Sequence, residues 1–225
     1  MAGIMKQACA AEPVLQLNKQ TKSVIITASE VKMQDTIFGH NQYLVRRKVF
    51  TLAGAKFHIF DPAGNLVFFS RMKAFKLRED IRLYRDENMS EELLLIKARQ
   101  IIDFSAAYDV FDGATMEKIG VFKRKGLKSI LRDEWLIMDA NDREIGVIRE
   151  DSLLKALLRR FLTNLIPQTY HAEIQETTVC VYKQNFNPFV LKLNVDFATD
   201  TRSLFDHRLG IAGAILLGAI EGRQN

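Results

Sequence analysis

Cysteine is almost missing from this chain: only Cys9 and Cys180 are present. Two cysteines exclude a disulfide framework and any all-cysteine zinc site. Histidine is nearly as scarce. His40, His58, His171 and His207 are scattered, with no metal-ligand spacing, so neither a metal nor another cofactor is implied. No glycine-rich phosphate loop, Gly-x-Ser-x-Gly elbow or His-Glu-x-x-His motif occurs. Long apolar runs are missing too. The most apolar stretch, residues 209–220, is well short of the roughly 20 residues that span a bilayer as a helix. Near the start, Ala8-Cys9-Ala10-Ala11 has the small residues of a cleavage site, but no apolar segment precedes it. Lys6 stands where a lipoprotein signal would place an aliphatic residue. The expectation is no secretory signal and a reducing, cytoplasmic location.

What is present fits an ordinary folded domain. The 225 residues are 48% hydrophobic and 26% charged, and mean hydropathy is −0.06. Lys plus Arg minus Asp plus Glu is 32 − 27 = +5, compatible with anionic lipid, nucleic acid or neither.

Residues 1–35 read as a polar, irregular extension, apart from a short strand-like stretch at 23–27. From Tyr43 the pattern changes to short β-branched and aromatic runs separated by turn residues. Residues 43–52 and 56–60 are two such runs. Asp61-Pro62-Ala63-Gly64-Asn65 then forms a turn in which Pro presets φ, Gly accepts positive φ and Asp bonds local amides. Residues 66–69 return. The unit recurs at 107–112 returning through 118–122, and at 134–139 returning through 144–148. Each begins with an apolar strand that ends in Asp, and in the last two the return strand carries a glycine. Three such hairpins imply a repetitive antiparallel sheet or barrel. The Asp residues have a structural role in turns and carry no catalytic weight.

Two segments break the β pattern. Residues 152–165 place Leu153, Leu154, Leu157, Leu158, Phe161, Leu162 and Leu165 on one helical stripe, with Pro167 stopping extension. Residues 203–221 are apolar all round and rich in Gly and Ala, with Asp200, Thr201 or Ser203 as candidate caps. A helix apolar on every side is enclosed on every side, and a barrel interior would enclose it.

These features together resemble the tubby C-terminal-like superfamily, in its LURP-one-related and phospholipid-scramblase-like branch. The resemblance rests on Tyr43-Leu-Val-Arg-Arg-Lys-Val-Phe50, Phe57-His-Ile-Phe-Asp-Pro-Ala-Gly-Asn65, Phe75-Lys-Leu-Arg-Glu-Asp80, Tyr108-Asp-Val-Phe-Asp112, Asp133-Glu-Trp135 and the apolar segment from Leu209. It covers roughly residues 40–222. It implies a mainly β fold: a closed antiparallel barrel of about twelve strands around a central hydrophobic C-terminal helix, with one amphipathic helix besides. The single domain would occupy residues 36–225. It also implies lipid association. The family's acidic segment before the last helix corresponds to Asp196, Asp200 and Asp206, whose spacing lacks the alternating ligands of a calcium loop.

Two basic clusters are the candidate binding residues. Lys123, Arg124, Lys125 and Lys128 bring four cations into six residues, expected on an exposed loop after a strand. In the second cluster Arg46 and Lys48 share one strand face, and Arg47 points to the other. Lys73, Lys76 and Arg78 would extend a basic surface. Anionic membrane favours each nearby cation by about 1 kcal/mol. No aromatic residue interleaves the 123–128 cluster, which disfavours single-stranded nucleic acid. Cys180, in Val179-Cys180-Val181-Tyr182, reads as buried and inert. The reading is a non-enzymatic binding module, peripheral to membranes, contacting anionic phospholipid head groups through basic loops. An enzyme with a small-ligand pocket at the barrel rim and a protein-interaction scaffold with a partner on residues 152–165 are the alternatives.

Overall fold

The computed structural model describes residues 37–48, 55–72, 80–99, 106–125, 134–151, 168–185 and 190–220. Twelve strands come first: β1 (Gln42–Lys48), β2 (Ala55–Phe60), β3 (Leu66–Met72), β4 (Ile81–Tyr84), β5 (Glu92–Ala98), β6 (Ala107–Asp112), β7 (Lys118–Arg124), β8 (Glu134–Asp139), β9 (Glu144–Glu150), β10 (Thr169–Ile174), β11 (Thr177–Asn185) and β12 (Val190–Asp196). Helix α1 (His207–Ile220) follows. Each strand pairs antiparallel with its sequence neighbours, and β1 also pairs with β12, so the sheet closes on itself. At that seam Gln42 faces Asp196 and Lys48 faces Val190. The expected antiparallel barrel around a C-terminal helix is what the chain forms. The amphipathic helix expected at 152–165 and the extension 1–35 lie outside the described residues.

Alternation along each strand explains the wall. In β6, Tyr108 and Val110 point inward and are fully buried, while Ala107, Asp109 and Phe111 are half-exposed. In β8, Trp135 and Ile137 do the same. The turns after β2, β4, β6, β8 and β10 share one rim, because strand direction alternates. Four of them are built on an Asp. Asp61 accepts from Asn65 N at 2.8 Å, Asp86 from Ser90 Oγ at 2.8 Å, Asp112 from Ala114 N and Thr115 N at 3.0 Å, and Asp139 from Asn141 N at 2.8 Å. Each of these five turns holds a residue at positive φ: Gly64, Met89, Met116, Asp142, and the pair Gln175 and Glu176. Side-chain bonds to turn amides offset the unfavourable backbone there.

The helix starts at this rim. Asp200 accepts from Leu204 N and Phe205 N, which makes a separate turn, and Asp206 then caps α1 through Arg208 N at 2.8 Å. The cap is therefore Asp206 rather than Asp200, Thr201 or Ser203, and the helix has 14 residues. Leu209 to Ala219 are buried without interruption, so the wall contacts every side of the rod. Tyr182 Oη donates to Gly210 O at 3.1 Å across the interior. The wall approaches closely at Gly120, where a Cβ would lie 2.6 Å from Met138 O and 2.9 Å from Leu209 Cδ1. At the helix C-terminus, the guanidinium of inward-pointing Arg47 donates to Gly218 O and lies 5.9 Å from the Phe57 ring centre. Carbonyls of the last turn lack helical donors and carry partial negative charge, so a buried cation is favourable there.

Outside the barrel, Arg99 and Lys118 bridge Asp109 and Asp142. Burial works against the Asp109 charge, yet Arg99 and Lys118 hold its carboxyl below the usual range. A carboxyl depressed in the folded state contributes stability that is present above its unfolded pKa of about 3.9 and lost as pH falls through the folded value. Asp109→Asn should therefore lower the urea midpoint at pH 7 and lose less than the parent between pH 4 and pH 2.5. Parallel losses in the two proteins would contradict this.

Candidate functional site

Strand alternation and register place the basic residues. On β1, Tyr43, Val45 and Arg47 face inward, and Leu44 and Arg46 face out. Lys48 ends β1 opposite Val190. Arg46 is directly opposite Lys192 of β12. On the next strand to the other side, Lys56 of β2 is directly opposite Arg71 of β3. Lys56 lies two residues from His58, which faces Arg46, so Lys56 is a diagonal neighbour of Arg46. Lys183 of β11 faces Asn194, which puts it diagonal to Lys192. Arg71, Lys56, Arg46, Lys192 and Lys183 thus form one continuous band over five adjacent strands, roughly 19 Å across at about 4.8 Å per strand. Lys192 is half-buried and the other four are exposed.

Like charges directly opposite each other destabilise a sheet. The wall nevertheless holds two such pairs, Arg46 with Lys192 and Lys56 with Arg71. None of the five cations forms an ion pair with a described carboxylate. Arg46 instead lies 5.5 Å from the Phe60 ring centre. Elsewhere on the wall cations are matched: Arg82 with Glu92, Arg85 with Glu91, and Arg149 with Glu173 and Glu134. Lys97 and Lys123 also lack an ion pair with a described carboxylate, but Lys97 faces Asp109 and Lys123 faces Ala107 and Leu136, so only in the band do such cations face one another.

The other basic cluster is arranged differently from the loop expected for it. Lys123 and Arg124 belong to β7 itself, because β8 extends the ladder: Lys123 faces Leu136, Arg124 faces Trp135, and Lys125 N donates to Glu134 O at 3.0 Å. Alternation then sends Lys123 and Arg124 to opposite faces. Lys125 Nζ is taken by Glu134. Lys128, Lys73, Lys76 and Arg78 lie outside the described residues. In the closed order β7 is six strands from β1 in either direction, so the two clusters stand on opposite sides of the barrel and do not converge.

Beside the band, a groove of about 640 Å³ opens between the β2–β3 turn and the outer faces of β1, β12 and β11. Arg46 and Lys183 line it with Asn194, Phe60, Asp61 and Asp196. Asp61 is held by Asn65; Asp196 accepts from Gln42 Nε2 at 3.1 Å and Ala198 N at 2.9 Å. Hydrogen bonding from Asn65, chiefly its side chain, holds the Asp61 carboxyl below the usual range.

Each histidine is engaged. His58 Nε2 meets Glu87 at 3.1 Å, His171 Nε2 lies 3.5 Å from Asp151, His40 packs edge-on to Tyr43, and His207 Nδ1 meets Phe38 O at 2.7 Å. Among the described residues no three His, Cys, Asp or Glu side chains gather. Cys180 is fully buried, and burial pushes its thiol well above the usual range, with a hydrogen bond to Tyr182 opposing. The three acids near the last helix are occupied by Gln42, backbone amides and Arg208. No helix among the described residues is long and apolar enough to cross a membrane.

Arg46 was visible in the sequence as a candidate; Lys56, Arg71, Lys183 and Lys192 were not. Their only local signal is a cation next to inward-facing apolar residues, as in Leu191-Lys192-Leu193. Searched against protein-family models, curated proteins and solved structures, the chain matches none, so the geometry of the band and groove carries the functional argument.

Proposed function

We propose that this chain is a tubby-like, non-enzymatic module that docks on anionic phospholipid surfaces through the band Arg71, Lys56, Arg46, Lys192 and Lys183. The observation behind this reading is the pairing of like charges across two strand ladders with no ion pair to a described carboxylate. An anionic surface would neutralise both pairs at once. Other turns of the rim carry Asp86 and Asp139, which such a surface would repel. Docking through the wall keeps those carboxylates away from lipid. The sequence resemblance to scramblase-like proteins points in the same direction.

At about 1 kcal/mol per cation near an anionic membrane, removing two cations should weaken binding roughly thirtyfold. Co-sedimentation with vesicles containing phosphatidylserine should show this for Arg46→Ala with Lys192→Ala, and parent binding should fall as salt rises. Lys123→Ala, on the opposite wall, should change little. Equal loss from both variants would sink the assignment to this band.

A further inference from the structure

The groove beside the band carries a charge pattern that an anionic surface does not explain. Arg46, Lys183, Asp61 and Asp196 all line it, and register puts Asp196 opposite Gln42, four residues from Arg46, and Asp61 just beyond Phe60, which faces Leu44. Register sets the separation. Asp196 faces Val181, and Lys183 stands two residues further along β11, about 6.6 Å away along the strand. Neither carboxylate forms an ion pair with a described cation, and neither cation pairs with a described carboxylate. Four charges of two signs thus line one cavity without neutralising one another. A simple anion here would meet two carboxylates, and a simple cation would meet an arginine and a lysine. A ligand with both charges a few ångströms apart satisfies all four.

We propose that this groove binds a phosphate ester bearing an ammonium group, the chemistry of phosphoethanolamine and phosphocholine. The phosphate lies between the Arg46 guanidinium and the Lys183 ammonium, where charge-assisted bonds are strong. The ligand's ammonium points to Asp61 and Asp196. Asn65 and backbone amides fix the Asp61 carboxylate, and Gln42 with Ala198 N fixes Asp196, so both acceptors are oriented before the ligand arrives. Phe60 forms the apolar side of the cavity, against which N-methyl groups or the ester's methylenes pack. A volume of about 640 Å³ is in the range of small-ligand sites. Asn194, on the floor between Leu44 and Lys183, supplies a neutral donor and acceptor for the ester oxygens.

This inference shares Arg46 with the surface reading but depends on Asp61 and Asp196, which that reading does not use. Isothermal titration of the full chain with phosphocholine, phosphoethanolamine, inorganic phosphate and glycine betaine tests it. The two phosphate esters should bind at least tenfold tighter than inorganic phosphate or betaine. Asp61→Asn should abolish the preference over inorganic phosphate, and Lys183→Ala the preference over betaine. Equal affinity for phosphocholine and inorganic phosphate in the parent protein, or no binding of either ester, overturns the proposal without any variant. Equal affinity for betaine overturns the phosphate assignment. Vesicles of phosphatidylcholine distinguish the source: displacement of the protein by soluble phosphocholine assigns the site to a lipid head group. Tight binding of the soluble ester with no vesicle binding assigns it to a free ester. Failure of the surface reading would appear separately, as salt-insensitive binding to phosphatidylserine vesicles.

Discussion

Gly210→Val is expected to lower stability by about 3 kcal/mol, the upper part of the range for overpacked cores. In an exposed helix, replacing Gly with Ala removes a penalty of about 1 kcal/mol, and Val recovers a smaller part of it. Here the sign reverses. A Cβ on Gly210 would lie 2.3 Å from two atoms of the Phe197 ring and 3.3 Å from Phe205. Phe197 has little room to yield, since it stacks on His207 at 4.0 Å and meets Tyr43 and Phe205 at 6.2 Å. Urea denaturation would measure the loss. Phe197→Leu removes the ring atoms in conflict, so the double variant should cost less than the sum of the single ones. A strictly additive result would show that the clash is not the cause.

Trp135→Ala should cost about 3–5 kcal/mol, and Trp135→Phe, which removes less volume, clearly less. Trp135 is the only tryptophan and is 1% exposed, next to Tyr108 with ring centres 6.1 Å apart. Truncation to Ala leaves a large void in a wall that closes on itself and cannot collapse freely. The lower cost of Phe rests on the ring it retains and on Nε1, which is buried with no hydrogen-bond partner among the described residues. Phe keeps most of the ring contact and leaves no acceptor stranded, so the usual penalty for deleting a buried donor is missing. For a chain of this size 1 kcal/mol shifts Tm by about 2–4 °C, so Trp135→Ala should melt on the order of 10 °C lower. A Phe variant as damaged as the Ala variant would show that the void is not what sets the cost.

The fold could be read wherever its signals were local. Tight turns built on Asp61, Asp112 and Asp139 marked three hairpins, and β6 and β8 fall at the residues expected for them. The all-round apolar character of α1 implied an enclosing wall. Other strands carried weaker marks. The four residues of β4 are too few to show a period. In β5, Leu93, Leu94, Leu95 and Ile96 are all buried, so alternation vanishes. β12 alternates well, but its partner β1 is more than a hundred residues away, with no turn between them to signal the pairing. The candidate site was hidden for the same reason. Arg46 stood in a visible cluster, whereas Lys56, Arg71, Lys183 and Lys192 come from four other strands. Only register makes them neighbours. Conversely, the densest run of cations dispersed, because a strand sends successive side chains to opposite faces.

The seam between β1 and β12 also governs how the molecule can assemble. Gln42 and Asp196, bonded through their side chains, are 154 positions apart, so the cylinder stays open until nearly all of its wall has been synthesised. The rod that fills it comes later still. During that interval the inner faces of eleven strands await both a closing partner and their contents. Such long-range closure predicts slow folding, in the milliseconds-to-seconds regime of β proteins, and a need for protection from self-association while the lumen is vacant.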